Sequence, residues 1–242
     1  MIRFYAPDIE HNPVLPPEES AHAVRVLRRR PGDDIEAVDG KGYLYRCRLV
    51  TDDPRGAVVE IAERVALPKV WKPTITIAVA PTKHADRIEW LVEKLVEIGV
   101  DRIVPVRCSR SERKDIKPER LTRIAVSAMK QSLKALLPVV EPTVSLDKFL
   151  SEPLSEGEQC FVGYCDAETE RRLLAQAYTP ESDVRILIGP EGDFSPEEIE
   201  AARRAGYVPV TMGDNRLRTE TAALVGCDTI HIVNQCQIHS SN

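Results

Sequence analysis

Two short stretches near the C-terminus carry residue types that can hold a ligand by main chain and leave charged side chains for chemistry. They are Leu187-Ile188-Gly189-Pro190-Glu191-Gly192 and Leu217-Arg218-Thr219-Glu220-Thr221-Ala222. Each follows a short apolar run that reads as a strand, and each leads toward a helix. Glycines in Gly189-Pro190-Glu191-Gly192 permit positive φ and close approach of a ligand to backbone donors, although a plain strand-to-helix turn has the same composition. The second stretch is less easily explained as local structure. A helix start here needs Thr219 as its cap but gains nothing from Arg218, because a cation near the positive end of a helix dipole is mildly unfavourable. Arg218 therefore points to an anionic or electron-rich ligand. Glu191 and Glu220 are carboxylates able to accept a proton or a hydrogen bond; charge pairing at the helix start is the alternative for Glu220. No G-x-G-x-x-G occurs, so a dinucleotide fold is not indicated. An anion cradle at Gly189–Gly192 would suit a phosphate-handling enzyme, but the chain has no G-K-[ST] lysine and no metal-holding acidic pair.

The elements that must position these residues alternate between strands and helices from Thr74 onward. Thr74–Ala80, Ile103–Val106, Cys160–Tyr164, Val184–Ile188 and Val208–Thr211 read as strands. A helix with Ile88, Leu91, Val92, Leu95 and Val96 on one face stops at Gly99, and another opens at Pro118 and runs toward Pro138. Ser195-Pro196-Glu197-Glu198 is a capping box with proline at the first helical position. A last helix spans about Thr219 to Val233. This alternation predicts a mostly parallel sheet covered on both faces, with ligands at the carboxyl ends of its strands. Residues 1–70 differ. Pro16-Pro17 opens a short helical stretch through Val26-Leu27, and Asp34–Val38, Tyr43–Val50 and Ala57–Ala62 are short strands separated by turn signals, a small β-barrel-like module. Leu67–Pro73 reads as a linker.

Composition narrows the class. The chain has 242 residues, 43% of them apolar, with 33 basic and 38 acidic side chains and a net charge of −5. That balance excludes a protein coated by nucleic acid, but not a local basic face. No apolar run approaches the ~18 residues needed to cross a bilayer, and no signal pattern opens the chain. The six cysteines form no C-x-x-C pair, so neither a disulfide framework nor a zinc site is expected. The expectation is a reduced, cytoplasmic protein without a metal.

The two C-terminal motifs, in order and together, resemble the SPOUT class of S-adenosylmethionine-dependent RNA methyltransferases. More closely they resemble the RsmE family, which methylates N3 of a uridine in small-subunit ribosomal RNA. The resemblance covers nearly the whole chain: Val26-Leu27-Arg28 with Gly32-Asp33, Glu93-Lys94-Leu95-Val96-Glu97-Ile98-Gly99, and Cys108-Ser109-Arg110-Ser111-Glu112-Arg113 complete it. One departure is Lys130-Gln131-Ser132, where the family often has a Glu-Gln pair. The resemblance implies a trefoil-knotted α/β domain over residues 74–242, a PUA-like RNA-binding barrel over 1–70, and a homodimer. It implies S-adenosylmethionine bent in the knot, adenine and ribose against main chain at Leu187, Gly189, Gly192, Met212, Gly213 and Leu217. Pro190, Glu191, Arg218 and Thr219 complete that cofactor set.

The chemistry of the reaction suggests the roles. Uridine N3 is a weakly acidic imide, so positioning and stabilisation of a developing anion should dominate. Arg218 is the candidate for that stabilisation, and Glu191 or Glu220 for proton acceptance; Asp166 and Glu168 are weaker candidates. RNA contact is expected from Arg25, Arg28, Arg29 and Arg30, a run a solvated helix face would explain equally well. A second expected patch is Arg107, Arg110, Arg113 and Lys114, after a strand's carboxyl end. Lys130 and Lys134 form a third, and His84 and His231 read as structural. The substrate expected is 16S rRNA within the assembled small subunit; the competing reading is a non-catalytic RNA-binding assembly factor.

Overall fold

The computed structural model describes residues 2–113, 115–164 and 172–240. Lys114, Cys165, Asp166, Glu168, Ser241 and Asn242 lie outside that set. The chain forms two compact units, Met1–Val70 with Ala125–Leu137, and Trp71–Ile124 with Pro138–Asn242.

In the first unit, β1 (Arg3–Tyr5), β2 (Asp34–Val38), β3 (Tyr43–Leu49) and β4 (Val59–Ala66) form a four-stranded sheet in that order. β1 runs parallel to β2 and the other pairs are antiparallel. An isolated antiparallel bridge joins Val14 to Val58, just before β4. Alternation along β3 sends Cys47 and Leu49 inward and Arg46 and Arg48 outward. Phe4, Ile9, Leu15 and Tyr45 fill the interior. α1 (Pro17–Ala21) starts on a proline and continues into a wider π-helical turn, His22–Val26. The turn stops at Leu27, and Arg28 takes a left-handed φ of 54°. Arg28, Arg29 and Arg30 therefore lie beyond the helical stretch rather than on a helix face. Residues 125–137 join this unit through specific bonds: Lys130 Nζ meets Glu19 Oε1 at 2.5 Å, and Leu137 N donates to Gly40 O at 2.9 Å.

The second unit is built on β5 (Ile75–Val79), followed by α2 (Ala85–Ile98), β6 (Arg102–Arg107) and α3 (Pro118–Gln131). Next come β7 (Val139–Val140), β8 (Val144–Ser145), α4 (Leu146–Leu150) and β9 (Gln159–Gly163). After β10 (Arg172–Leu173) and α5 (Leu174–Ala177), β11 (Val184–Ile188), α6 (Pro196–Arg204), β12 (Val208–Thr211) and α7 (Thr219–Ser240) complete the chain. The strands lie in the order β10-β12-β9-β11-β5-β6-β7, with β8 also on β6, and every pairing is parallel. All five residues of β5 and of β11 are buried, as central strands covered on both faces require. α6 begins with the full Ser195/Glu198 capping box.

The end of the chain takes an unusual route. β12 pairs with β9 toward one edge, yet α7 packs against β11, β5 and α2. The segment between therefore passes the carboxyl ends of β9 and β11, against the loop that follows β11, where Thr219 reaches Gly189. Ala223, Cys227 and Ile230 of α7 are buried against these elements, whereas Ile232 and residues 235–237 are exposed.

Gly99 ends α2 at φ +131°, and its carbonyl faces a ring nitrogen of buried His231 at 2.7 Å. A Cβ at this position would lie 2.8 Å from the Trp71 ring. Gly99→Ala should thus combine backbone strain with overpacking and cost about 2–4 kcal/mol. Urea denaturation should show a clearly lowered midpoint; a midpoint equal to wild type would contradict this account.

Candidate active site

A cavity of ≈ 770 Å³ opens at the carboxyl ends of β9, β11 and β12. The loop after β11 contributes Gly189, Pro190, Glu191 and Asp193, and the connection from β12 to α7 contributes an unbroken wall from Thr211 to Thr219. A buried bond joins the two: the Thr219 hydroxyl donates to Gly189 O at 3.0 Å. Thr219 is therefore not the helix cap that its position suggests. Arg218 occupies the place before the first helical residue, and its carbonyl accepts from Ala222 N. Gly213, at φ +131°, is held by Thr211, whose Oγ1 donates to Gly213 O at 2.7 Å. The Met212 side chain lies against Gly163 and Gly226, where added Cβ atoms would approach its Cε to 3.1 and 3.3 Å.

The cavity gathers Gly189, Pro190, Glu191, Met212, Gly213, Leu217, Arg218 and Thr219 from the expected cofactor set. Leu187 and Gly192 are not in its lining. Leu187 is buried in the core cluster under β11, and its strand pairs on both edges. Gly192 is small for a different neighbour: a Cβ there would meet Arg110 Cβ at 3.3 Å. Gly189 likewise leaves room for the Phe194 ring, 2.8 Å from where its Cβ would be.

Three candidate side chains behave differently from one another. Arg218 is exposed at the cavity and has no hydrogen-bond or ion-pair partner among the described residues. Glu191 is exposed at the rim and accepts from Lys83 N at 3.1 Å. Glu220 is buried and outside the lining; its nearest cation is Arg87, at 3.8 Å. Proton acceptance by Glu220 would need a direct path to the cavity that its burial does not provide. Arg87 itself, 131 residues from Arg218 in sequence (218 − 87), does line the cavity, as do Gly163 and Tyr164. Sequence reasoning missed all three. Gly163-Tyr164 at a strand's carboxyl end was a usable signal, whereas nothing local marked Arg87.

The expected second RNA patch is partly consumed by structure. Arg110 Nη1 donates to Gly192 O and Phe194 O, both at 3.2 Å, and Arg113 donates to Lys83 O. Ser109 binds Glu198 through both its N–H and its hydroxyl. These bonds tie the loops after β5, β6 and β11 together. Glu112, hydrogen-bonded to Lys83, raises that ammonium above the usual lysine range, with a smaller attraction from Glu191. Arg107 is exposed. In the first unit Arg25, Arg28 and Arg30 are exposed and Arg29 is half-buried; Arg30 pairs with Asp52 at 3.2 Å. Lys130 is taken up by Glu19. Burial pushes the thiols of Cys160 and Cys108 up to about 11 and about 12, so neither offers a thiolate nucleophile near neutral pH. Among the described residues, no cluster of His, Cys, Asp and Glu could hold a metal ion, and no helix is long and apolar enough to cross a membrane.

A parallel sheet whose last helix returns against its central strands, with a cavity where the loop after β11 meets the β12–α7 connection, is the architecture of a SPOUT-class α/β domain. A family model described as an RNA methyltransferase domain matches residues 70–231, and one described as an RNA methyltransferase PUA domain matches residues 15–62. Ribosomal RNA small subunit methyltransferase E of Mycobacterium bovis is 29% identical over 236 residues, covering 94% of this chain and 88% of its own. The solved structure of a probable rRNA-methyltransferase from Porphyromonas gingivalis is 44% identical with a TM-score of 0.92, covering 98% of this chain and 100% of that one. Ribosomal RNA small subunit methyltransferase E of Neisseria gonorrhoeae, solved with S-adenosyl methionine, is 28% identical with a TM-score of 0.80, covering 96% and 98%. The chain belongs to the RsmE family of RNA methyltransferases.

The bond between the two loops yields a direct expectation. Thr219→Val keeps the shape but leaves the buried Gly189 carbonyl without its donor, which should cost about 1–3 kcal/mol. Urea denaturation checks the loss, and unchanged stability would show that the loops are held by other means.

Proposed function

We propose that this protein transfers a methyl group from S-adenosylmethionine to N3 of a uridine in the 16S rRNA of the small subunit. The observation that carries the reading is the single cavity in which the Gly189–Glu191 turn and the Met212–Arg218 wall converge. Its volume is within the roughly 300–1,000 Å³ typical of cofactor sites. The chemical character of its lining also suits the donor. Ile188, Val210 and Leu217 offer apolar surface for an adenine, Asp193 and Asp214 offer carboxylates for the positive groups, and Arg218 offers a free cation. When bound, S-adenosylmethionine supplies an electrophilic methyl on a sulfonium.

The chain's own residues then have positioning and proton handling to perform. The N3–H proton must leave as N3 forms its bond to the methyl carbon and the C–S bond breaks. Glu191 is an exposed carboxylate on the turn after β11, and we assign it proton acceptance. Arg218, exposed and unpaired, stabilises the charge that develops on the imide. Thr219 and Gly189 keep the two walls in register, which matters because in-line transfer depends on placement more than on acid catalysis.

RNA binding is assigned to residues 1–70, with exposed Arg25, Arg28 and Arg30 as phosphate contacts, and methyl transfer to residues 74–242. A substrate presented as folded rRNA within an assembled subunit agrees with a chain of net charge −5, since shape then supplies much of the recognition. Exposed Trp90 on α2 and Ile232 on α7 support a homodimer. The protein is assigned to the cytoplasm, where its substrate is.

Gene deletion with mapping of methylated uridines tests the reading. The deletion should lose one N3-methyl mark in small-subunit rRNA, wild type should restore it, and Arg218→Ala should not. Glu191→Gln should lower transfer by about 10²-fold or more in vitro. Persistence of every mark in the deletion strain would refute the substrate assignment. Calorimetry showing no S-adenosylmethionine binding would instead favour an assembly factor.

A further inference from the structure

We propose that Arg87 is the residue that reads the C4 carbonyl of the target uracil, and that Glu220 is a positioning residue holding it from behind. The inference rests on the methyl-transfer reading above. Arg87 lies in the first turn of α2 and lines the cavity, with its side chain about one-third exposed at 30%. Glu220 lies in the first turn of α7, which packs against α2. Its side chain is only 8% exposed, and its Oε1 is 3.8 Å from Arg87 Nε. The other oxygen, Oε2, is buried and has no donor among the described residues.

A buried carboxylate with a half-satisfied end is costly unless a cation holds to it. Among the described residues Arg87 is the cation within reach. At 3.8 Å the two groups attract as a charge pair without a hydrogen bond, so Glu220 draws the guanidinium to one side of the cavity while its N–H groups stay available to a ligand. A cation held near one place by a buried counter-charge discriminates between ligands better than one free to wander.

The contrast with Arg218 separates two tasks. Arg218 is exposed and carries an uncompensated charge, which suits an anion or the charge that develops during transfer. Arg87 and Glu220 together are formally neutral, so the pair suits a neutral carbonyl that needs a directed donor. A guanidinium donates and never accepts. It therefore welcomes uracil, whose C4 substituent is an acceptor oxygen, and opposes cytosine, whose C4 amino group is a donor. N3 adjoins C4 in the same ring, so a donor fixed on that carbonyl also fixes the direction of N3.

The test uses the full-length protein with small-subunit rRNA carrying uridine or 4-thiouridine at the target position. Arg87→Ala should keep S-adenosylmethionine affinity within about threefold by calorimetry while kcat/KM for transfer to uridine falls about 10- to 100-fold. Sulfur is a weak acceptor, so wild type should prefer uridine to 4-thiouridine, and that preference should shrink at least fivefold in Arg87→Ala. Glu220→Gln should lower kcat/KM, and the double variant should be no worse than Arg87→Ala alone, because Glu220 acts through Arg87. Three results would overturn the proposal: loss of cofactor binding in parallel with activity, an unchanged uridine preference, or additive losses in the double variant. Failure of the wild type to methylate either RNA would sink the underlying reading instead, and with it this inference.

Discussion

The Thr219 hydroxyl bound to the Gly189 carbonyl is the contact on which the site depends. It is buried, 3.0 Å long and spans two loops that leave different strands. A buried carbonyl with no donor is expensive, so the arrangement resists opening once it has formed. The backbone groups of the loop after β11 and of the β12–α7 connection face one cavity because this bond and the return of α7 hold them there. Gly189 is permitted at the junction because any side chain would strike Phe194. The small residue thus serves packing first, and the ligand benefits from the close approach that packing required.

A second layer of bonds braces the rim. The Lys83 N–H donates to Glu191 and its carbonyl accepts from Arg113, while Arg110 donates to the carbonyls of Gly192 and Phe194. Charged side chains on these loops are spent on main-chain groups. Loops that converge at the carboxyl ends of parallel strands have many unpaired carbonyls, and guanidinium groups are well suited to collecting them. The side chains left unspent, Arg218 and Arg87 at the cavity, are then the ones available to a ligand.

The first unit shows a related economy. Its arginines straddle the end of a π-helical turn: Arg25 lies in the turn, and Arg28, with left-handed φ, opens the stretch that follows. Lys130, which sequence alone presents as another free cation, is absorbed by buried Glu19 and anchors residues 125–137 to this unit. That pairing occupies the position where family members often carry an acid, so the departure at Lys130-Gln131-Ser132 has a structural consequence within this chain.

The sequence by itself determined the alternation of strands and helices, because hydrophobic period, capping and glycine stops are local properties. Asp34–Val38, Val184–Ile188 and Val208–Thr211 are strands at the limits their patterns indicate, and α6 begins at the predicted capping box. It also marked both cavity loops, since glycine and charged residues at strand ends are visible one residue at a time. What only the tertiary structure decided are the relations between distant residues. Periodicity does not encode that Thr219 spends its hydroxyl on Gly189, that Glu220 is buried outside the cavity lining, or that Arg87 is part of it. Those outcomes follow from the path of the chain past β9 and β11, which places the starts of α2 and α7 side by side. Pairing across such distances depends on which buried groups need partners after the sheet has closed, and no window along the chain contains both members.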